Sequence, residues 1–167
     1  MRIYVMRHGI AVDRTDPAAP ENDADRPLTL DGRERTRLAL HGLVSLGVVV
    51  DRVVASPLVR CVQTAELVSE ILGVPRLAME THAGLQPDAD QSELLAGLRN
   101  LRDDGVMLIG HAPDCDDTVA KLLGLPLPIT ALKKSGVVVL SLKSGAELAR
   151  LVGVYEPKTL RRLGRLE

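Results

Sequence analysis

Short β-rich runs take turns along this chain with helix-length amphipathic segments, and that alternation limits the fold more than any other feature. Residues 2–6 open the series, and 52–55, 106–110, 136–142 and 148–154 continue it. Between these runs the apolar residues recur with helical spacing. Thr29 can cap a helix reaching about Leu46, with Leu30, Leu38, Leu43, Val44 and Leu46 as its apolar side and Gly47 as its stop. Ser56-Pro57 sets a capping hydroxyl before a proline at the first helical position, which predicts a helix to about Leu72 that stops at Gly73-Val74-Pro75. Residues 76–78 read as a short strand. Residues 91–102 form an amphipathic segment with Leu94, Leu95 and Leu98 on one side, and 114–123 and 157–163 are further helices. The pattern predicts an α/β fold, a three-layer α/β/α sandwich on a mostly parallel sheet. No repeat or linker divides the chain, so one domain over residues 1–167 is expected.

The core of such a sandwich must here be aliphatic. Trp and Phe are absent, and Tyr4 and Tyr155 are the two aromatic residues. Stacking on bases is therefore excluded as a main binding mode. With 21 basic and 22 acidic residues, the chain lacks the footprint of a nucleic-acid binder. Cys61 and Cys115 are too few and too far apart for a disulfide scaffold or a metal knuckle, and reduced thiols are expected. The first residues lack the apolar core of a signal peptide, and no apolar stretch is long enough to span a bilayer. A cytoplasmic protein without a membrane partner is the expectation.

The residues capable of chemistry gather just after the β-rich runs. Arg7-His8, the stretch from Ser56 to Arg60, and Gly110-His111 each follow one. In an open parallel sheet, ligands bind beyond the carboxyl ends of the strands, so three strand ends would bring two arginines and two histidines to one pocket. That set suits a phosphoryl group. Arg7 and Arg60 can each offer a fork of donors to phosphate oxygens. A neutral His8 can attack phosphorus, and His111 can neutralise charge developing on the equatorial oxygens. The chemistry requires neither a metal nor an organic cofactor. Asp114, Asp116 and Asp117 near His111 are read as complements to a helix dipole, not as a metal site.

Arg7-His8-Gly9, then Ser56-Pro57-Leu58-Val59-Arg60 with Gln63-Thr64-Ala65, then Gly110-His111-Ala112-Pro113 resemble the three motifs of the histidine phosphatase superfamily, the phosphoglycerate-mutase-like fold. Arg26-Pro27-Leu28-Thr29 with Gly32 is similar to the opening of that family's first helix, and Pro157-Lys158-Thr159-Leu160-Arg161 to the tail of its compact SixA-type branch. The resemblance implies that His8 is the phosphorylated nucleophile. Arg7 and Arg60 would clamp the phosphate, with Ser56 and Gly9 as further contacts, and His111 would be the second histidine. It also implies a compact form without the helical lid subdomain of larger relatives, and phosphate or sulfate as ligands of the pocket.

One motif departs from the family. Leu85-Gln86-Pro87 stands where many relatives carry a catalytic glutamate, leaving Asp88 and Asp90 as the nearest candidate acids, Asp90 the better match. A phosphoramidate with a protonated leaving nitrogen departs more easily than an alkoxide, so the loss favours phosphohistidine over sugar phosphates. The expected function is hydrolysis of phosphohistidine on a partner protein, such as a phosphotransfer domain of a signalling relay. Two rivals remain: a phosphatase of small phosphate esters, and a phospho-dependent binding module with little turnover. Ser56 has a sufficient role as a cap. Gln63 and Thr64 are expected to support packing behind the site, and His41 and His82 to lie at the surface.

Overall fold

Every buried strand splits its side chains between two cores. The computed structural model describes residues 1–165, and the last two residues of the expected domain lie outside the described residues. In β1 (Arg2–Arg7), Tyr4 and Met6 point to one core, Ile3 and Val5 to the other. The same alternation runs through β2 (Arg52–Ala55), β4 (Gly105–Gly110) and β5 (Val137–Ser141). This is the two-residue period of a sheet covered on both faces. With β3 (Met79–Thr81) and β6 (Arg150–Tyr155), the strand order is β3-β2-β4-β1-β5-β6. The first four strands in that order are parallel, while β5 runs antiparallel to β1 and β6 to β5.

Helices α1 (Leu30–Ser45), α2 (Val59–Leu72) and α5 (Pro157–Leu163) cover the face bearing Tyr4 and Met6. Helices α3 (Ser92–Leu98) and α4 (Asp114–Leu123) cover the other. The result is a three-layer α/β/α sandwich on a mostly parallel sheet. Only β3, short 3-10 turns and the two-turn α3 lie between α2 and β4, so no helical lid stands there. Among the described residues no helix is long and apolar enough to cross a membrane.

Several local readings are corrected. The buried stripe of α1 is Gly32, Thr36, Ala39, Leu40 and Leu43, spaced as one helical face, whereas Leu30 is 85% exposed and Val44 and Leu46 are also exposed. Thr29 does cap the helix, its hydroxyl accepting from the Gly32 N–H at 2.9 Å. Helix α2 starts two residues later than the Ser56-Pro57 signal implies, with Leu58 at the cap position and no side-chain cap. Residues 76–78 form a 3-10 turn, and the strand follows them at Met79–Thr81. Helix α3 ends at Leu98 and does not reach residue 102.

The register of the sheet builds the site. Arg7 on β1 stands beside Gly110 on β4, and Ala55 on β2 beside Ile109. The Ser56 N–H donates to the Ile109 carbonyl and the His8 N–H to the Gly110 carbonyl, so all three chemistry-bearing turns leave the sheet at one level.

Helix α5 lies against α1 at a distance only glycine allows, because a Cβ on Gly42 would collide with the backbone carbonyl of Leu160. Gly42→Ala therefore should destabilise the protein by about 1–3 kcal/mol in urea unfolding through overpacking. Helix propensity alone predicts the opposite sign, so an unchanged or increased midpoint would refute this close approach.

Candidate active site

His8 is held as a neutral imidazole. Its Nδ1 lies 2.7 Å from the Gly9 carbonyl, an obligate acceptor, so Nδ1 carries the proton and Nε2 keeps its lone pair. Burial pushes its pKa down to about 3, with His111, Arg60 and Arg7 adding to the effect. Gly9 has no room for a side chain, since a Cβ there would stand 2.5 Å from the Thr36 hydroxyl. Its N–H is engaged by the Thr64 hydroxyl at 3.2 Å, and it sits behind His8, not in the pocket wall.

The ring of His111 lies 5.0 Å from that of His8, tilted by 60°. Its Nε2 is 3.0 Å from the Ser56 hydroxyl and 3.5 Å from the Cys61 thiol. The Ser56 hydroxyl can donate to Nε2, and in that tautomer Nδ1 bears the hydrogen and can donate to an anion. Burial, then Arg60, pushes the His111 pKa down to about 4. Cys61 is no nucleophile here, because burial pushes its thiol up to about 12. Ser56 is fully buried and orients His111; it caps no helix and does not line the pocket.

Arg7, His8, Arg60 and His111 line one cavity of about 480 Å³. Arg7 donates through a terminal nitrogen to the Leu132 carbonyl at 2.9 Å. Arg60, 2% exposed, donates to the Asp23 carbonyl at 2.8 Å and to its carboxylate at 3.1 Å. In both arginines the buried Nε has no hydrogen-bond partner. A buried donor without an acceptor is costly unless a ligand supplies one, and these two arginines share the cavity with His8. The arrangement fits a phosphoryl group attacked by His8 Nε2.

The two candidate acids lie apart from this set. Asp88 is exposed and donates its backbone N–H to the Asp114 carboxylate at 3.0 Å. Asp90 is exposed as well, and its carboxylate accepts from the N–H and hydroxyl of Ser92, which lowers its pKa. Neither lines the cavity. Two of the three acids read as dipole complements prove to be buried brackets. Asp114 holds the Asp88 backbone, and Asp116 accepts from the Thr130 hydroxyl and the Leu132 N–H. Among the described residues no group of three metal-ligating side chains is assembled.

Sequence reasoning missed Asp23, Arg26, Asp13 and Lys134. All four lie off the strand ends, between the elements predicted from the sequence, and Asp13, Arg26 and Lys134 line the pocket. Asp23 binds Arg60, Arg26 and Arg14 together, and the three guanidinium groups hold its carboxyl at about 2 against its desolvation. Its sole sequence signal was an acid with Arg14 and Arg26 near it in the chain.

Two outcomes are expected from this geometry. The ring protons of His8 and His111 should show no titration by NMR between pH 8 and 5, and an inflection near 6.5 would contradict their burial as neutral rings. Because both folded pKa values lie below the unfolded value, the unfolded chain takes up protons first, and stability falls as pH drops from about 6.5 toward 4. Asp23→Ala should cost about 1–3 kcal/mol by stranding a buried guanidinium. It should also speed tryptic cleavage at Arg14, and unchanged cleavage would show that Asp23 does not anchor this loop.

Comparison with known proteins agrees with this geometry. The model of the histidine phosphatase superfamily (branch 1) matches residues 3–87. The chain is 36% identical over 150 residues to an uncharacterized protein of Picosynechococcus sp., covering 87% of each. It is 36% identical over 125 residues to the phosphohistidine phosphatase SixA of Escherichia coli, covering 73% of this chain and 74% of that one. Among solved structures it is similar to the protein histidine phosphatase SixA complexed with tungstate, with a TM-score of 0.85 and 28% identity over 96% of this chain and 99% of the other. The chain belongs to branch 1 of the histidine phosphatase superfamily, in its compact SixA-like form, and is a phosphatase.

Proposed function

We propose that the protein hydrolyses phosphohistidine on a partner protein of a cytoplasmic signalling relay, through a covalent phosphohistidine at His8. The observation that carries the choice of substrate is the state of the acids. Among the described residues lining the pocket, Asp13 is the one carboxylate, and hydrogen bonds from Thr15 lower its pKa. It is ionised at neutral pH and is a poor proton donor. An ester that departs as an alkoxide needs such a donor. A phosphohistidine protonated on its second ring nitrogen departs as neutral imidazole and does not. The E. coli relative's activity toward phosphohistidine supports the same choice.

The first step is in-line attack by His8 Nε2 on phosphorus. The new P–N bond forms as the substrate's P–N bond breaks, and the electron pair leaves with the departing imidazole. The Nδ1 hydrogen of His8 stays on the Gly9 carbonyl and holds the ring in line. The free Nε hydrogens of Arg7 and Arg60 meet the phosphoryl oxygens, and the Nδ1 hydrogen of His111 stabilises the equatorial charge. In the second step water attacks the phosphorus of phospho-His8. The P–N bond returns its pair to Nε2, and the water's protons pass to inorganic phosphate and solvent. His8 is again neutral.

The test is phosphate release from a phosphohistidine-bearing protein beside a panel of small phosphate esters. Release from phosphohistidine should be preferred and should fall at least about a thousandfold in His8→Ala, as expected on removing a nucleophile. Faster turnover of one ester through the same histidine would move the assignment to small-molecule substrates. Tight phosphate binding without turnover of anything would leave a binding module.

A further inference from the structure

The pocket holds more positive charge than one phosphoryl group can use. Arg7, Arg14, Arg26, Arg60 and Lys134 line it, while Asp13 in the wall and Asp23 behind it are the carboxylates that face them. Five cations against two carboxylates leave an excess of three, and a phosphoryl group brings about two negative charges at most. The cavity of about 480 Å³ also extends past Arg7, His8, Arg60 and His111 to Asp13, Arg26 and Lys134.

The unmatched charge can be located. Arg60 and Arg14 are paired with Asp23, and Arg7 is fixed on Leu132. Arg26 gives its Nε to Asp23 and one terminal nitrogen to the Val12 carbonyl, leaving its other terminal nitrogen for a ligand. Lys134 has no hydrogen bond or ion pair with any described residue. Burial and the neighbouring Arg7, Arg26 and Arg60 lower its pKa, and Asp13 opposes them only in part.

Lys134 is also placed by a built turn. Asp116 holds the Leu132 N–H, the Ser135 N–H donates to the Arg7 carbonyl at 3.0 Å, and the Ser135 hydroxyl meets that of Thr36 at 2.9 Å. Ser135 itself takes the left-handed conformation, with φ of 63°. Strained backbone of this kind persists where its surroundings hold it in place.

We propose that Lys134 and Arg26 form an outer anion subsite beside the phosphoryl clamp, and that it receives an acidic side chain flanking the phosphorylated histidine of the substrate protein. The identity of that second anion rests on the phosphohistidine reading above; the subsite itself does not. No lid subdomain covers the pocket, so a protein surface can carry a phosphoryl group and a neighbouring carboxylate into it together.

Calorimetry with methylphosphonate and methylenediphosphonate, neither of them hydrolysable at its P–C bonds by this chemistry, tests the subsite directly. The wild-type protein should bind the two-headed anion at least about tenfold more tightly. Lys134→Ala should bring the ratio close to one, and Lys134→Arg should preserve it. A wild-type ratio near one, or a preference that survives Lys134→Ala, would overturn the proposal. Phosphohistidine peptides with Asp or Ala beside the phosphorylated residue then identify the second anion. Asp should lower KM by about threefold, the scale of an exposed ion pair, and the advantage should vanish in Lys134→Ala. If both peptides are hydrolysed equally while the diphosphonate preference stands, the second group belongs to a small molecule and the acidic-partner part falls. If neither peptide is hydrolysed, the reading of the substrate fails and the subsite stands.

Discussion

A guanidinium group that cannot reach water is the constraint on which the rest of this site depends. Arg60 is 2% exposed, and it sits one residue into α2, in the wall of the pocket. An ion withdrawn from water costs several kcal/mol unless charge and hydrogen bonds answer it. Asp23 answers part of the cost with its carbonyl and carboxylate. For that it must be carried across by the segment between β1 and α1, and the same carboxylate then gathers Arg14 and Arg26. The Nε left over is the donor that the proposed reaction gives to a phosphoryl oxygen.

The same burial sets the protonation of the two histidine rings in the site. Positive charge around an imidazole, without water to screen it, makes a second positive charge unfavourable, so His8 and His111 stay neutral. Neutral rings still need the correct tautomers. The Gly9 carbonyl fixes that of His8, and the Ser56 hydroxyl holds Nε2 of His111 in either role. Each orienting group is in turn fixed by the fold. Gly9 packs where the Thr36 hydroxyl leaves no room for a Cβ, and the Ser56 N–H is tied to β4. Thr36 reaches onward to Ser135 and the turn that carries Lys134. One polar chain thus links helix α1, the His8 backbone and the pocket rim.

What could be read from the sequence was whatever strand ends and local periodicity encode. The alternation of elements predicted the sandwich, and the residues following three β-rich runs are the ones the register of β1, β2 and β4 brings together. Helices α4 and α5 were legible at both ends because Pro, Gly and acidic residues mark them locally. The apolar side of α1 was read correctly at Leu43 and misread elsewhere, because the rest of its buried stripe is largely small residues, Gly32, Thr36 and Ala39 beside Leu40, while Leu30, Val44 and Leu46 face water. Ser56 gave a convincing capping signal, yet its hydroxyl is claimed by a histidine fifty-five positions away. Asp23 and Lys134 were invisible for the same reason. Their meaning lies in partners that only tertiary structure supplies, and a loop rich in Asp, Pro and Ala reads alike whether or not it is anchored.

Charge and leaving group, taken together, explain why such a pocket can dispense with a proton donor. A carboxylic acid kept protonated near five cations would be driven to ionise, since every nearby positive charge favours the carboxylate. Asp23, with its carboxyl at about 2, shows how strongly this pocket does so. A cationic pocket and a neutral carboxylic acid are thus in conflict, and among the described residues no helical subdomain stands between α2 and β4 to hold such an acid apart. The chain can gain binding energy from more cations, or it can keep a donor, but its geometry does not provide for both. The substrate consistent with the first choice is one whose leaving group brings its own proton, and a protonated phosphohistidine has that property.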